Sequence, residues 1–179
     1  MTGRYICKIA SLSEMERKWE YEINRHPDDQ ANWLVWREAA LANFREGKAI
    51  PYYSILDGEI ICEATAVIHP DAAQNSEGLI DSCTAYLEAF RTNEPFRGQG
   101  CFSMLFAFMV NDLYSRGYNR VTLGVETDDM KNKAIYAHYG FTHYIKTEDE
   151  KYPDGTAVQV EYYAKEITEG KDQKRENIL

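Results

Sequence analysis

The sequence predicts one α/β (α+β) domain in which two antiparallel hairpins flank a stretch of helix-connected strands, seven strands in all. Two turn signals carry the hairpins: Asp57-Gly58, between alternating β-branched segments, and Pro153-Asp154-Gly155, which closes a tight turn near the end. The third observation is the order of residues 80 to 145, which read strand, helix, strand, helix, strand. A chain of 179 residues with 44% hydrophobic and 13% aromatic residues fits one packed core. The domain is expected to span residues 1 to 167, and the polar segment 168 to 179 is expected to be a disordered tail.

Each element has a local cause. Arg4 to Ile9 is a short strand, and Ser11 or Ser13 caps a helix ending near Asn24. The break Asn24-Arg25-His26-Pro27-Asp28 precedes a longer helix, capped by Asp28 or Asp29, with Trp33, Trp36, Leu41 and Phe44 at apolar positions; Gly47 stops it. Ala49 to Ile68 holds the first hairpin, and Pro70 to Gly78 is a polar loop. Strand four is expected from Ile80 to Thr92, followed by a glycine-bearing turn and a helix to Ser115. Val121 to Val125 is a short buried strand, Asp128 or Asp129 opens a helix to Tyr139, and strands 141 to 146 and 158 to 164 make the last hairpin.

Composition excludes several classes. A formal net charge of −9, from 29 acidic and 20 basic residues, repels phosphate backbones, so nucleic acid is not an expected partner. No apolar run is long enough for a membrane helix or a signal peptide, so no membrane partner is expected and a cytoplasmic location is. Cys7, Cys62, Cys83 and Cys101 lack metal-ligand spacing and read as reduced thiols; no metal is expected.

The chemistry concentrates in Arg97-Gly98-Gln99-Gly100-Cys101-Phe102-Ser103, between a predicted strand and a predicted helix. The first N–H groups of a helix have no intrahelical partner and its dipole is positive there, so glycines that admit a ligand to the backbone create a pyrophosphate site. Taken alone, the segment also reads as a plain tight turn. The second signal is Tyr136-Ala137-His138-Tyr139-Gly140-Phe141, about 36 residues after Gly100. Together they resemble the GNAT superfamily of N-acetyltransferases, whose signature is R-x-x-G-x-G/A at a helix start, then a strand and a helix ending Y-x-x-x-G-F. Arg97, Gly100, Tyr136, Gly140 and Phe141 match. Two positions depart: Phe102 stands where Gly or Ala is usual, and Asp129 where an asparagine is frequent, with Asn132 able to supply that amide.

The resemblance implies the GNAT fold: a mixed, mostly antiparallel sheet of about seven strands, helices on both faces, and a splay between strands four and five. It implies acetyl-CoA as co-substrate, with Phe90, Arg91 and Thr92 lending strand backbone to the pantetheine arm and the loop Arg97 to Ser103 holding the pyrophosphate. It implies direct transfer to a small-molecule or peptide amine, with Tyr136 protonating the departing sulfur. Glu88, nine residues before Arg97, is the candidate base or ammonium anchor; its alternative role is a buried structural carboxylate paired with an arginine. His26, Cys101, Trp33 and Trp36 are weaker candidates, read first as a solvated loop residue, a packed thiol and, for both tryptophans, core. Dimers are frequent in the family, so a homodimer is compatible with the resemblance. The competing function class is a non-catalytic acyl-CoA-binding or regulatory module of the same fold. Glu88 and Tyr136 together favour the enzyme, because a binding module has no use for both.

Overall fold

Ser11 begins the first helix with a complete capping box: its hydroxyl accepts from the Glu14 backbone N–H, and the Glu14 carboxylate accepts from the Ser11 N–H at 2.7 Å. In the computed structural model, which describes residues 4–169, this helix (α1, Leu12–Arg25) follows strand β1 (Tyr5–Ile9) and leads through a single turn into α2 (Gln30–Arg45). Most of the predicted tail lies outside the described residues. The first hairpin is β2 (Ala49–Leu56) and β3 (Glu59–Val67), joined at Asp57-Gly58. Then come β4 (Thr84–Thr92), α3 (Cys101–Ser115), β5 (Arg120–Glu126), α4 (Met130–His138) and the hairpin β6 (His143–Lys151) and β7 (Ala157–Glu166). No helix among the described residues is long and apolar enough to cross a membrane.

The seven strands form one sheet in the order β1-β2-β3-β4-β5-β7-β6, antiparallel except for β4 beside β5. Adjacent tyrosines show how it is covered. Tyr52 packs with Leu105 and Met109 of α3, while Tyr53 packs on the opposite face with Trp19 and Trp33 of α1 and α2. Both rings are at most 1% exposed, and each such burial stabilises by about 1.5–3 kcal/mol. The Tyr52 hydroxyl donates to Asp112 at 2.7 Å, so its burial leaves no polar atom unpaired.

Strand four starts four residues later than the sequence suggests. Asp81 accepts from the Cys83 backbone N–H at 2.8 Å and closes a local turn, which leaves Leu79 and Ile80 in an apolar cluster with Tyr86 and Tyr162 instead of in the ladder. The second hairpin is longer than expected, since pairing runs out to Lys151 and Ala157.

Two features of β4 position the site. Its register with β3 passes from Glu63↔Arg91 to Thr65↔Glu88, so β4 carries one extra residue, and Ala89 adopts φ +56. A left-handed alanine costs about 1–2 kcal/mol, tolerated where the surrounding structure fixes it. The second feature is the loss of pairing with β5 beyond Leu87↔Leu123. From there β4 stays with β3 and β5 with β7, and the two strands part to leave the expected splay.

Candidate active site

A cleft of about 1100 Å³ opens where β4 leaves β5, bounded by the start of α3, by α4, and by the α1–α2 junction. Its α3 end is built by the glycine loop. Gly98 and Gly100 take φ +72 and +78, a left-handed conformation that lets the chain turn sharply into α3. The first helical hydrogen bond runs from Met104 N–H to Gly100 C=O at 3.1 Å, so the amides of Cys101, Phe102 and Ser103 precede the ladder at the wall of the cleft. Arg97 donates Nε to the Thr92 carbonyl at 3.0 Å, tying the loop to the end of β4 while still lining the cleft. Gln99 does not line it; its side chain folds back to the Pro95 carbonyl at 2.6 Å.

Phe102, the departure from the motif, lies against Phe90 (ring centres 5.0 Å apart) and Tyr139 (5.4 Å), which packs one side of the ring away from the loop backbone. Asn132 lines the cleft, but its amide already donates to Asp129 at 2.6 Å, because Asp129 caps α4. A charge at Gly100 would face these amides, none of which donates to a backbone carbonyl among the described residues. Gly100→Asp is therefore expected to weaken coenzyme A binding at least tenfold, read by calorimetry. The melting temperature should fall only modestly, since a Cβ there meets nothing within 4 Å and the main folding cost is the left-handed φ. Unchanged affinity in a folded variant would rule out this loop as the expected phosphate site.

Tyr136 lines the same cleft, its ring 5.8 Å from Phe90. Burial pushes its pKa up to about 12, with the Asp129 carboxylate adding to the effect. The phenol therefore stays protonated near neutrality.

Glu88 is not the enclosed carboxylate expected of a central strand. It points away from α3, on the same face as Tyr86, is exposed, and is not part of the cleft wall. Protein nonetheless crowds it, and this desolvation pushes its pKa up to about 7, against the pull of Arg91 and with help from Glu150. It occupies a solvent-open recess: crowded enough to resist ionisation, open enough for water to reach it. The arginine-paired buried carboxylate on this face is Glu63, in contact with Arg91 at 2.9 Å and only 2% exposed.

The α1–α2 end of the cleft is aromatic and ionic. The Arg91 guanidinium lies 4.7 Å from the Trp33 ring centre and 5.2 Å from that of Trp19. Trp33 in turn stacks on His26, ring centres 4.1 Å apart. Behind them Lys18, 2% exposed, bonds Glu22 and the Asn93 side chain. Removing one member would strand a buried charge. The tip of the second hairpin docks here as well, where Asn32 and Asp154 exchange hydrogen bonds at 2.8 and 3.0 Å and Trp36 meets Tyr152 edge-on.

The family model for the acetyltransferase (GNAT) family matches residues 9–141. The chain belongs to the GNAT family of acetyltransferases. No curated protein sequence matches it, whereas solved structures share the GNAT fold. A Salmonella typhimurium acetyl transferase that modifies the N-terminal serine of a 50S ribosomal subunit protein aligns over 94% of this chain and 97% of its own, with 17% identity and a TM-score of 0.65. A ribosomal-protein-alanine N-acetyltransferase from Brucella melitensis covers 90% and 99%, with 16% identity and a TM-score of 0.63. The Salmonella typhimurium protein yncA, with its cofactor acetyl-CoA, covers 93% and 96%, with 14% identity and a TM-score of 0.59.

In this GNAT chain the sequence pattern brings most candidates to one cleft: Phe90, Arg91, Thr92, Arg97, Gly98, Gly100, Cys101, Phe102, Ser103, Asn132 and Tyr136 all line it. His26 and Trp33, weak candidates by sequence, line it too, and Trp36 stands behind Trp33. Glu22 and Asn93 were missed. The one local signal was Glu63 in the apolar run Ile60-Ile61-Cys62, a charge that needed a partner which spacing alone could not name.

Proposed function

We propose that the protein transfers acetyl from acetyl-CoA to a primary amine, of a small molecule or a peptide, by direct transfer in a ternary complex. One observation carries the reading: the β4–β5 splay, the amides at the α3 start and the Tyr136 phenol open onto a single cleft. An extended pantetheine arm can pair with the β4 backbone left free beyond Leu87, its phosphates held at the loop by N–H groups and Arg97. Both ribosomal-protein acetyltransferases of the same fold act on protein amines, which supports a peptide amine among the acceptors.

The chemistry asked of the chain is limited. An ammonium must lose a proton before its nitrogen can attack the thioester carbonyl, and Glu88, titrating near 7, is suited to take it directly or through water. The nitrogen bonds to the carbonyl carbon as the C=O electron pair moves onto oxygen; when that oxyanion collapses, the C–S bond breaks and the nitrogen gives its second proton to solvent. The sulfur leaves with the electron pair and gains a proton from Tyr136, which recovers one from solvent; the net products are amide, free thiol and one proton. Backbone N–H groups near the splay steady the developing oxyanion.

Acetyl-CoA at about 100 times its Kd should stabilise the folded protein by about 2.7 kcal/mol, or roughly 5–10 °C in melting temperature. Thiol release with a panel of amines then tests turnover. No thermal shift and no calorimetric heat would end the reading, and binding without turnover would favour the non-catalytic acyl-CoA-binding module.

A further inference from the structure

On the sheet face away from α3, beside the splay, lies a group of polar side chains that the transfer steps leave unused. Tyr86 stands two residues before Glu88 on β4 and is 8% exposed. Its hydroxyl has no hydrogen-bond partner among the described residues. Every side-chain oxygen or nitrogen fully shut off from solvent is satisfied there, so this hydroxyl opens on water. Gly124 of β5 makes room for it: a Cβ at that position would come within 3.1 Å of the Tyr86 hydroxyl and 3.0 Å of the Tyr162 ring. Tyr162 donates to Glu150 at 2.6 Å, while Asn75 donates to the Tyr162 hydroxyl at 3.2 Å and to the Asp149 carbonyl at 3.0 Å. Glu150 is thus held in place from the hairpin and the 70–78 loop. It forms no ion pair among the described residues; the nearby Lys146, 5.7 Å from the Tyr162 ring centre, bonds Glu148 and the Asn75 carbonyl instead.

Glu88 thus follows Tyr86 on the same face of β4, and Glu150 is tied to Tyr162, whose ring centre lies 6.3 Å from that of Tyr86; the nearly buried Tyr86 phenol between these strands has no hydrogen-bond partner among the described residues. Once Glu88 has taken the proton of the reacting amine it is neutral, while the Glu150 carboxylate, fixed by the Tyr162 hydroxyl, forms no ion pair among the described residues. We infer that Glu150 and Tyr86 form a subsite for a second positive charge on the acceptor, so that the preferred acceptor is a dication. This rests on the transfer reading above and sharpens its acceptor class. The same chemistry is met by a short diamine, or by a peptide with a basic residue directly after its free amine.

The test compares matched acceptors. Wild-type kcat/KM for 1,3-diaminopropane should exceed that for propylamine at least tenfold after correction for its two equivalent amines, or that for Ala-Lys-Ala should exceed Ala-Gln-Ala by the same factor. Whichever pair discriminates identifies the source of the second charge. Glu150→Gln should bring that ratio to within threefold of one, and Tyr86→Phe should lower it severalfold, with the KM for acetyl-CoA unchanged and melting curves confirming folded variants. A wild-type ratio near one in both pairs, or a high ratio that survives Glu150→Gln, would overturn the inference while leaving acetyl transfer intact. If acetyl-CoA binds but none of the four acceptors is acetylated, transfer to these amines fails first and the subsite fails with it.

Discussion

Tyr136→Phe is expected to lower kcat by ten- to ten-thousandfold while leaving the Kd for acetyl-CoA within about twofold, the pattern of a lost proton donor. The ring packs edge-on against Phe90 and Phe141, and phenylalanine keeps both contacts. The hydroxyl is what disappears. Protonation helps the thiolate depart and keeps it from returning, so an interaction with the sulfur matters mainly as the C–S bond breaks and contributes little to ground-state binding. The raised pKa of Tyr136, about 12, keeps the donor loaded across pH 6 to 9, so the wild-type profile should show no descending limb from this residue. Stopped-flow thiol release and acetyl-CoA calorimetry on the same preparation check both halves. A variant with wild-type kcat would remove Tyr136 from the proton path.

The parts of this site that were legible in the sequence are those set by local backbone chemistry. Glycines at 98 and 100 before an apolar helical run mark a sharp entry into α3, and Tyr136 lies on the short helix that ends at Gly140. The hairpin turns were legible for the same reason, since Asp57-Gly58 and Pro153-Asp154-Gly155 act over four residues. Long-range pairings were not. Arg91 was expected to lend only backbone to the cleft, yet its side chain reaches Glu63, Trp19 and Trp33, contacts made when β3, α1 and α2 assemble. The bulge at Ala89 was equally hidden: alanine carries no signal for a left-handed φ, and only the register with β3 reveals it. Glu88 keeps the face of Tyr86, two residues before it, and the bulge then shifts the alternation so that Phe90 joins the aromatic cluster under α3. The expectation of an enclosed Glu88 assumed a regular central strand.

Glu88→Gln should give a pH-dependent defect with a defined shape. With the wild-type carboxyl titrating near 7, kcat/KM should rise through an ascending limb centred there, because only the ionised form accepts the amine proton. Glutamine removes that limb, leaving a rate that climbs with the fraction of free amine up to the acceptor's own pKa. The fold deficit should therefore be widest at and below about pH 7, some hundred- to ten-thousandfold for one proton-transfer group, should narrow as pH rises toward the amine's pKa, and should close above it. If Glu88 only anchors the ammonium, KM for the amine rises instead and the wild-type limb keeps its position. Stability supplies an independent check on the same group. A glutamate whose folded pKa lies above its ordinary value of 4.5 favours the native state when protonated, a contribution complete below that value and lost as pH rises through about 7. Glutamine does not titrate, so the variant's melting temperature relative to wild type should climb across that window and level off above it. A relative stability flat with pH would mean that the carboxyl does not titrate near 7 in the folded protein, and the base assignment would then lose its physical ground.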